Sequence, residues 1–99
     1  MCGIIGINSN KSVSATIINS LKKLEYRGYD SAGIATLSNG LINEVKSEGR
    51  VNNLEENSLV QSMEGTIGIG HVRWATHGLP NSINAHPHSS QNVSVVHNG

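Results

Sequence analysis

The dipeptide Asn39-Gly40 constrains the fold of this chain more than any other feature. It separates two runs rich in apolar residues, 31–37 and 41–45. Asn-Gly between such runs is the strongest short-range signal of a β-hairpin, because a two-residue hairpin turn needs φ above zero at both central positions. The sequence therefore predicts two antiparallel strands, Ser31–Leu37 and Leu41–Val45, joined by a tight turn.

Apolar spacing predicts the other elements. Short apolar runs interrupted by glycine indicate strands, and apolar residues three or four apart indicate a helix. A loop of about 20 residues inside a small domain is unusual and often functional. We predict strands at Gly3–Ile7, Thr66–Val72 and Val93–Val96, a helix at Val13–Leu24 with Ser12 as its N-cap, a short helix at Arg50–Val60 and a long loop at Arg73–Asn92.

Charge and cysteine content exclude several classes of function. Seven basic and seven acidic residues give the 99-residue chain a net charge of zero, so we expect no nucleic-acid partner and no attraction to an anionic membrane. The single cysteine excludes an internal disulfide and a Cys-rich zinc site, and fits a reducing compartment. No apolar run reaches the roughly 20 residues of a membrane helix, and no signal peptide precedes Cys2. We therefore expect a cytoplasmic protein.

Cys2 follows the initiator Met1 directly. Removal of Met1 would place a thiol and a free α-amine on one residue. A free thiol and a free α-amine ordinarily titrate with pKa values near 8.5 and 8, so the amine can serve as base for its own thiol. The alternative is a buried cysteine at the start of a strand, since free cysteine is a common core residue.

Three further sites could bind a substrate. Arg73 is the only basic residue after Arg50, and its planar fork suits a carboxylate, although it could equally be a surface arginine. Trp74, the only tryptophan, could pack in the core or line a pocket. Asn98-Gly99 favours a hairpin turn, but an Asn amide beside a Gly N–H can also form an oxyanion hole.

All five histidines lie between His71 and His97, and His86-Pro87-His88 places two of them two residues apart. Histidine is the commonest metal ligand, so a non-enzymatic metal-binding module is one hypothesis. The spacing matches no zinc template, however, and histidines bonded to loop backbone are the alternative. We predict no metal and no cofactor.

Taken together, five segments of the chain resemble class II glutamine amidotransferases. The sugar-phosphate branch of the family is matched better than the amidophosphoribosyltransferase branch. The segments, in chain order, are Met-Cys-Gly-Ile-Ile-Gly (1–6), Leu-Glu-Tyr-Arg-Gly-Tyr-Asp-Ser-Ala-Gly (24–33), His-Val-Arg-Trp-Ala-Thr-His-Gly (71–78), Asn-Ala-His-Pro-His (84–88) and Val-Val-His-Asn-Gly (95–99).

The resemblance implies an α+β fold of the N-terminal-nucleophile hydrolases, an αββα sandwich of antiparallel sheets. It implies that Cys2 attacks the side-chain amide of glutamine to form a thioester, and that Asn98 and Gly99 hold the oxyanion. Arg73 would bind the glutamine α-carboxylate in a loop that also includes Trp74, Thr76 and His77. Water would release glutamate, and the ammonia would pass to fructose 6-phosphate to give glucosamine 6-phosphate.

The resemblance also implies that residues 1–99 form the first half of the amidotransferase domain. The family's second half, its aspartate for the glutamine α-amino group and its sugar isomerase domains have no counterpart in the sequence. A half-sandwich leaves an apolar sheet face uncovered, and the carboxylate of Gly99 would adjoin the oxyanion. We therefore expect a truncated chain without turnover of its own, taken from an enzyme that is homodimeric in full-length members.

Overall fold

The computed structural model describes residues 2–74 and 84–97. Its secondary structure is mixed, with antiparallel strands and three short α-helices in these ranges, so the predicted α+β class is confirmed. A 3₁₀ turn covers Glu25–Arg27. The elements are β1 (Gly3–Asn8), α1 (Ser14–Leu24), β2 (Ser31–Ser38), β3 (Leu41–Glu48), α2 (Val51–Glu55), α3 (Ser58–Gln61), β4 (Ile67–Arg73), β5 (His88–Ser89) and β6 (Ser94–Val95).

The predicted hairpin is confirmed. Asn39 and Gly40 have φ values of 52° and 75°, the left-handed geometry that a two-residue turn requires. Ser38 pairs with Leu41 on either side of the turn. Local sequence therefore fixes the register of β2 against β3.

The main sheet has the strand order β1-β4-β2-β3, with every neighbouring pair antiparallel. β4 is central and pairs with β1 on one side and β2 on the other. Gly3 lies opposite Val72. The start of β1 and the end of β4 therefore lie side by side at one end of the sheet.

The hydrophobic core lies between this sheet and the helices. Alternate residues of a strand point to opposite faces, so each strand contributes one set of side chains to this layer. Ile17 and Leu21 of α1, Ile34 of β2 and Leu54 of α2 are fully buried there. Val72 of β4 belongs to this core, so His71 and Arg73, its neighbours on β4, point to the opposite face of the sheet.

The opposite face of the sheet carries apolar side chains that are only partly buried. The side chains of Ile4, Leu37 and Ile67 are 45%, 42% and 43% exposed. Residues 84–97, with the small β5–β6 hairpin, lie over part of it. In the described ranges no helix is long and apolar enough to cross a bilayer.

Three sequence-based boundaries were wrong. The N-cap of α1 is Val13, whose N–H donates to the carbonyl of Gly65 at 3.0 Å, so Ser12 lies outside the helix. The single helix predicted at Arg50–Val60 is two helices, because the Asn57 side chain accepts from Leu59 N–H and begins α3. The predicted loop Arg73–Asn92 contains β5, and its residues 75–83 lie outside the described ranges.

Candidate active site

Cys2 lies directly before β1 and is 4% exposed. Its Sγ lies 3.9 Å from the carbonyl oxygen of Trp74, to which the thiol donates. Gly3 pairs with Val72, so continuing this register by one residue brings Cys2 beside Arg73. The cysteine is thus buried at the start of a strand, and it also faces the residue that the sequence singled out as a carboxylate ligand.

Arg73 is the last residue of β4 and is 7% exposed, so the surface interpretation of this arginine was wrong. Its Nη1 lies 4.0 Å from Oδ1 of Asp30. The backbone holds the same two residues together, since Asp30 N–H donates to the Arg73 carbonyl at 2.8 Å. A buried guanidinium is stable only beside negative charge, and its fork can serve more than one oxygen.

Trp74 follows β4 and is 51% exposed, so it is not a core residue. Its ring lies against the backbone of Gly28, where a Cβ would come within 2.8 Å of Cε3. The only tryptophan therefore lies half-exposed against Gly28, directly after the end of β4.

The structure brings three predicted site residues together, namely Cys2, Arg73 and Trp74. The structure does not describe the remaining four, of which two rest on the family resemblance alone and two also on the Asn-Gly dipeptide. They are Thr76, His77, Asn98 and Gly99, and all lie outside the described residues.

The structure also reveals a histidine cluster, defined here as His71, His86 and His88. The rings of His71 and His86 stack, with centroids 4.2 Å apart and an interplanar angle of 19°. The His88 ring is tilted against His86 at 4.4 Å. His71 is fully buried, and its Nε2 lies 2.7 Å from the carbonyl oxygen of His97.

The surroundings of His71 and His86 favour the neutral imidazole, because the pKa of each ring is lowered. Burial lowers the pKa of His71, the hydrogen bond to the His97 carbonyl opposes this shift, and the nearby Arg73 guanidinium lowers the pKa further, with a net lowering. Burial, followed by the positive charge that His71 would carry, lowers the pKa of His86 to about 4. Within the described ranges the Nδ1 atoms of both rings are buried without a hydrogen-bond partner.

Residues 2–74 and 84–97 contain no group of three His, Cys, Asp or Glu side chains placed to hold a metal ion. The cluster is built by ring stacking and by a bond to backbone instead. Sequence reasoning did not assign a function to His71. The available signal was its position two residues before Arg73 on one strand, which places both side chains on the same sheet face.

The chain is similar over its whole length to curated proteins named glutamine–fructose-6-phosphate aminotransferase (isomerizing). It is 54% identical to that of Mesorhizobium japonicum and 56% identical to that of Brucella abortus over 99 residues, which is 16% of each relative. A solved glutamine phosphoribosylpyrophosphate amidotransferase from B. subtilis, complexed with ADP and GMP, is 26% identical with a TM-score of 0.76. It matches 95% of this chain and 20% of its own. No family model matches.

Proposed function

We propose that this chain, which is 54% identical over its whole length to a glutamine–fructose-6-phosphate aminotransferase, carries the nucleophilic end of the glutaminase reaction of these enzymes. The substrate is glutamine and the nucleophile is Cys2. Arg73 binds the α-carboxylate of the substrate. Asn98 and Gly99 stabilise the oxyanion.

The observation that supports this proposal most strongly is the meeting of Cys2 and Arg73 at one end of the β1–β4 pair. A thiol nucleophile needs a substrate held at a fixed distance, and binding one end of the substrate supplies that orientation. The guanidinium is buried at 7% exposure and is positioned by Asp30. The proposed nucleophile and the proposed carboxylate ligand are therefore both positioned by the paired strands β1 and β4.

In the acylation step, the α-amine of Cys2, freed by removal of Met1, takes the thiol proton. The thiolate attacks the side-chain carbonyl carbon of glutamine, and a C–S bond forms while the carbonyl oxygen becomes negative. Collapse of this intermediate breaks the C–N bond. The ammonium proton of Cys2 passes to the leaving nitrogen, which departs as ammonia and leaves a γ-glutamyl thioester.

In the deacylation step, the same amine takes a proton from water. The hydroxide attacks the thioester carbonyl, the C–S bond breaks, and the proton returns to sulfur. Glutamate leaves, and the free thiol is restored. Oxyanion stabilisation serves both steps, and one such donor typically contributes about 10²–10³-fold in rate.

Transfer of the ammonia to a sugar phosphate is a proposal for the whole enzyme. The chain spans 16% of its curated relatives, and their name gives fructose 6-phosphate as the acceptor. Domains beyond this chain would bind that acceptor in a homodimeric cytoplasmic enzyme. Identity of 54–56% to these relatives against 26% to the phosphoribosyl enzyme favours the sugar-phosphate branch.

The test uses an electrophilic glutamine analogue on the 99-residue chain. This probe requires only binding and thiol attack, so it measures the proposed half-reaction even where full turnover needs further segments. We expect saturable labelling of Cys2 that L-glutamine blocks and D-glutamine does not, and no labelling of Cys2→Ser. Labelling that is linear in analogue concentration and unaffected by L-glutamine would show an ordinary reactive thiol and contradict the proposal.

A further inference from the structure

His71 occupies a central position between two parts of the proposed site. It lies on β4 opposite Gly33 of β2 and Ile4 of β1, two residues before Arg73. It is fully buried, yet it is an imidazole rather than an aliphatic residue. A buried polar ring without compensation destabilises a fold, so its hydrogen bonds need an explanation.

One ring nitrogen has a clear partner. Nε2 lies 2.7 Å from the carbonyl oxygen of His97, which is 26 residues away in sequence. A carbonyl oxygen can only accept, so Nε2 carries the hydrogen and donates it. Nδ1 is then the unprotonated nitrogen, and it is buried with no partner in the described ranges.

The ring of His86 packs against one face of the His71 ring. The two rings stack at 4.2 Å. The backbone carbonyl of His86 occupies the space where a Cβ on Gly33 would stand, so the 84–88 segment lies directly on β2. His71 is thereby packed between the sheet and this segment, with one donor directed at His97.

His97 immediately precedes Asn98 and Gly99 in the chain. We propose that His71 is a positioning residue, whose Nε2–H fixes the backbone of His97 and so sets the oxyanion residues relative to the strand that carries Arg73. This inference rests on the proposed function of Asn98 and Gly99. It assigns His71 no contact with substrate.

Two substitutions of similar polarity separate this role from simple packing. Glutamine places its amide nitrogen near the position of Nε2, whereas asparagine places its nitrogen near that of Nδ1. His71→Gln therefore keeps a donor within reach of the His97 carbonyl and His71→Asn loses it. His88→Asn is the matched control, since His88 is the exposed member of the cluster and its ring lies against His86.

The first readout is the labelling of Cys2 by the electrophilic glutamine analogue, resolved into maximal rate and half-saturating concentration. Misplacement of a reacting group by about 1 Å can cost about 10²-fold in rate. We expect His71→Asn to lower the maximal rate by that order with an unchanged half-saturating concentration, because Arg73 is intact. His71→Gln should restore most of the rate, and His88→Asn should match the wild type. Equal rates for the Gln and Asn variants would overturn the positioning role.

The second readout needs no reaction with the analogue. Ring ¹⁵N chemical shifts should show His71 protonated at Nε2 alone, and the His97 and Asn98 amide signals should move in His71→Asn more than in His71→Gln. If the wild type is not labelled, the proposed function fails. The hydrogen bond from His71 to the His97 carbonyl is then tested by these spectra alone. A proton at Nδ1, or amide signals that the two variants shift equally, would refute it.

Discussion

At the scale of single residues, the site combines a thiol and a guanidinium that are both almost fully buried. Cys2 is 4% exposed and Arg73 is 7% exposed. Asp30 lies 4.0 Å from the guanidinium. Burial of an arginine removes its hydration, so a second carboxylate, that of the proposed substrate, would bind there more strongly than at a surface arginine.

Replacement of Arg73 by lysine tests this role. A lysine keeps the charge but cannot form two parallel hydrogen bonds to a carboxylate. Loss of one charge-assisted bond corresponds to about 1.5–3 kcal/mol, which is roughly a 10–150-fold rise in the half-saturating concentration of the glutamine analogue. The maximal labelling rate should change little, as measured by mass spectrometry.

Arg50→Lys is the control, because Arg50 is an exposed arginine that lies over the Tyr29 ring at 4.5 Å. It should leave both labelling constants near the wild-type values. An unchanged half-saturating concentration in Arg73→Lys would remove Arg73 from the substrate site.

The lowered pKa of His86 predicts that the free energy of unfolding depends on pH. Its pKa is about 4 in the fold, against an ordinary histidine value of 6.5. Between these values the unfolded chain binds a proton at His86 that the folded chain does not, so the free energy of unfolding falls as pH falls from about 6.5 and levels off near pH 4. Urea titrations at several pH values measure this slope.

His86→Leu separates this effect from the titration of carboxylates, which is common to both proteins. The variant should show a smaller loss of stability between pH 6.5 and pH 4 than the wild type. The same slope in both proteins would show that His86 is not held neutral by the fold.

Sequence reasoning singled out the proposed reacting and binding residues, but not the contacts that hold them in place. Cys2 and Arg73 are recognisable from residue type and position, because a penultimate cysteine and an isolated arginine are visible locally. His71 was not singled out, because its proposed role depends on a contact with His97, 26 residues away. Only the strand register and the path of residues 84–97 create that contact.

At the scale of elements, the accuracy of prediction followed the range of the interactions. Asn39-Gly40 encodes its turn within two residues, and the hairpin formed as predicted. The start of α1 was misplaced, because Val13 is held by a backbone bond to Gly65 from a distant part of the chain. A tertiary contact of this kind leaves no pattern in the local sequence.

The close approach of residues 84–88 to β2 gives a prediction for Gly33→Ala. The added methyl would collide with the backbone carbonyl of His86, which cannot rotate away as a side chain could. Overpacking of this kind typically costs about 1–3 kcal/mol of the free energy of unfolding. Chemical denaturation measures the loss.

Gly6→Ala is the matched control on β1 of the same sheet. Its Cβ would meet only Ile69 Cγ2, at 3.9 Å, an ordinary contact. The change in stability should stay within about 0.5 kcal/mol. Equal effects of the two substitutions would mean that residues 84–88 do not lie on β2.

At the scale of the whole molecule, the sheet separates a packed core from the face that carries the candidate site. The helices cover one face, and His71 and Arg73 point to the other. Ile4, Leu37 and Ile67 are more than two-fifths exposed on that second face. The antiparallel α+β class agrees with the solved amidotransferase at a TM-score of 0.76, and the complete αββα sandwich remains a proposal.

The central claim, that Cys2 acts as an N-terminal nucleophile with its own amine as base, is tested most directly by one top-down mass spectrum. A sample that contains chains with and without Met1 is treated with the electrophilic glutamine analogue. We predict a single adduct on Cys2, only on chains that lack Met1, and its loss in excess glutamine. Equal labelling of chains that retain Met1 would contradict the claim, as would the absence of an adduct on chains that have lost it.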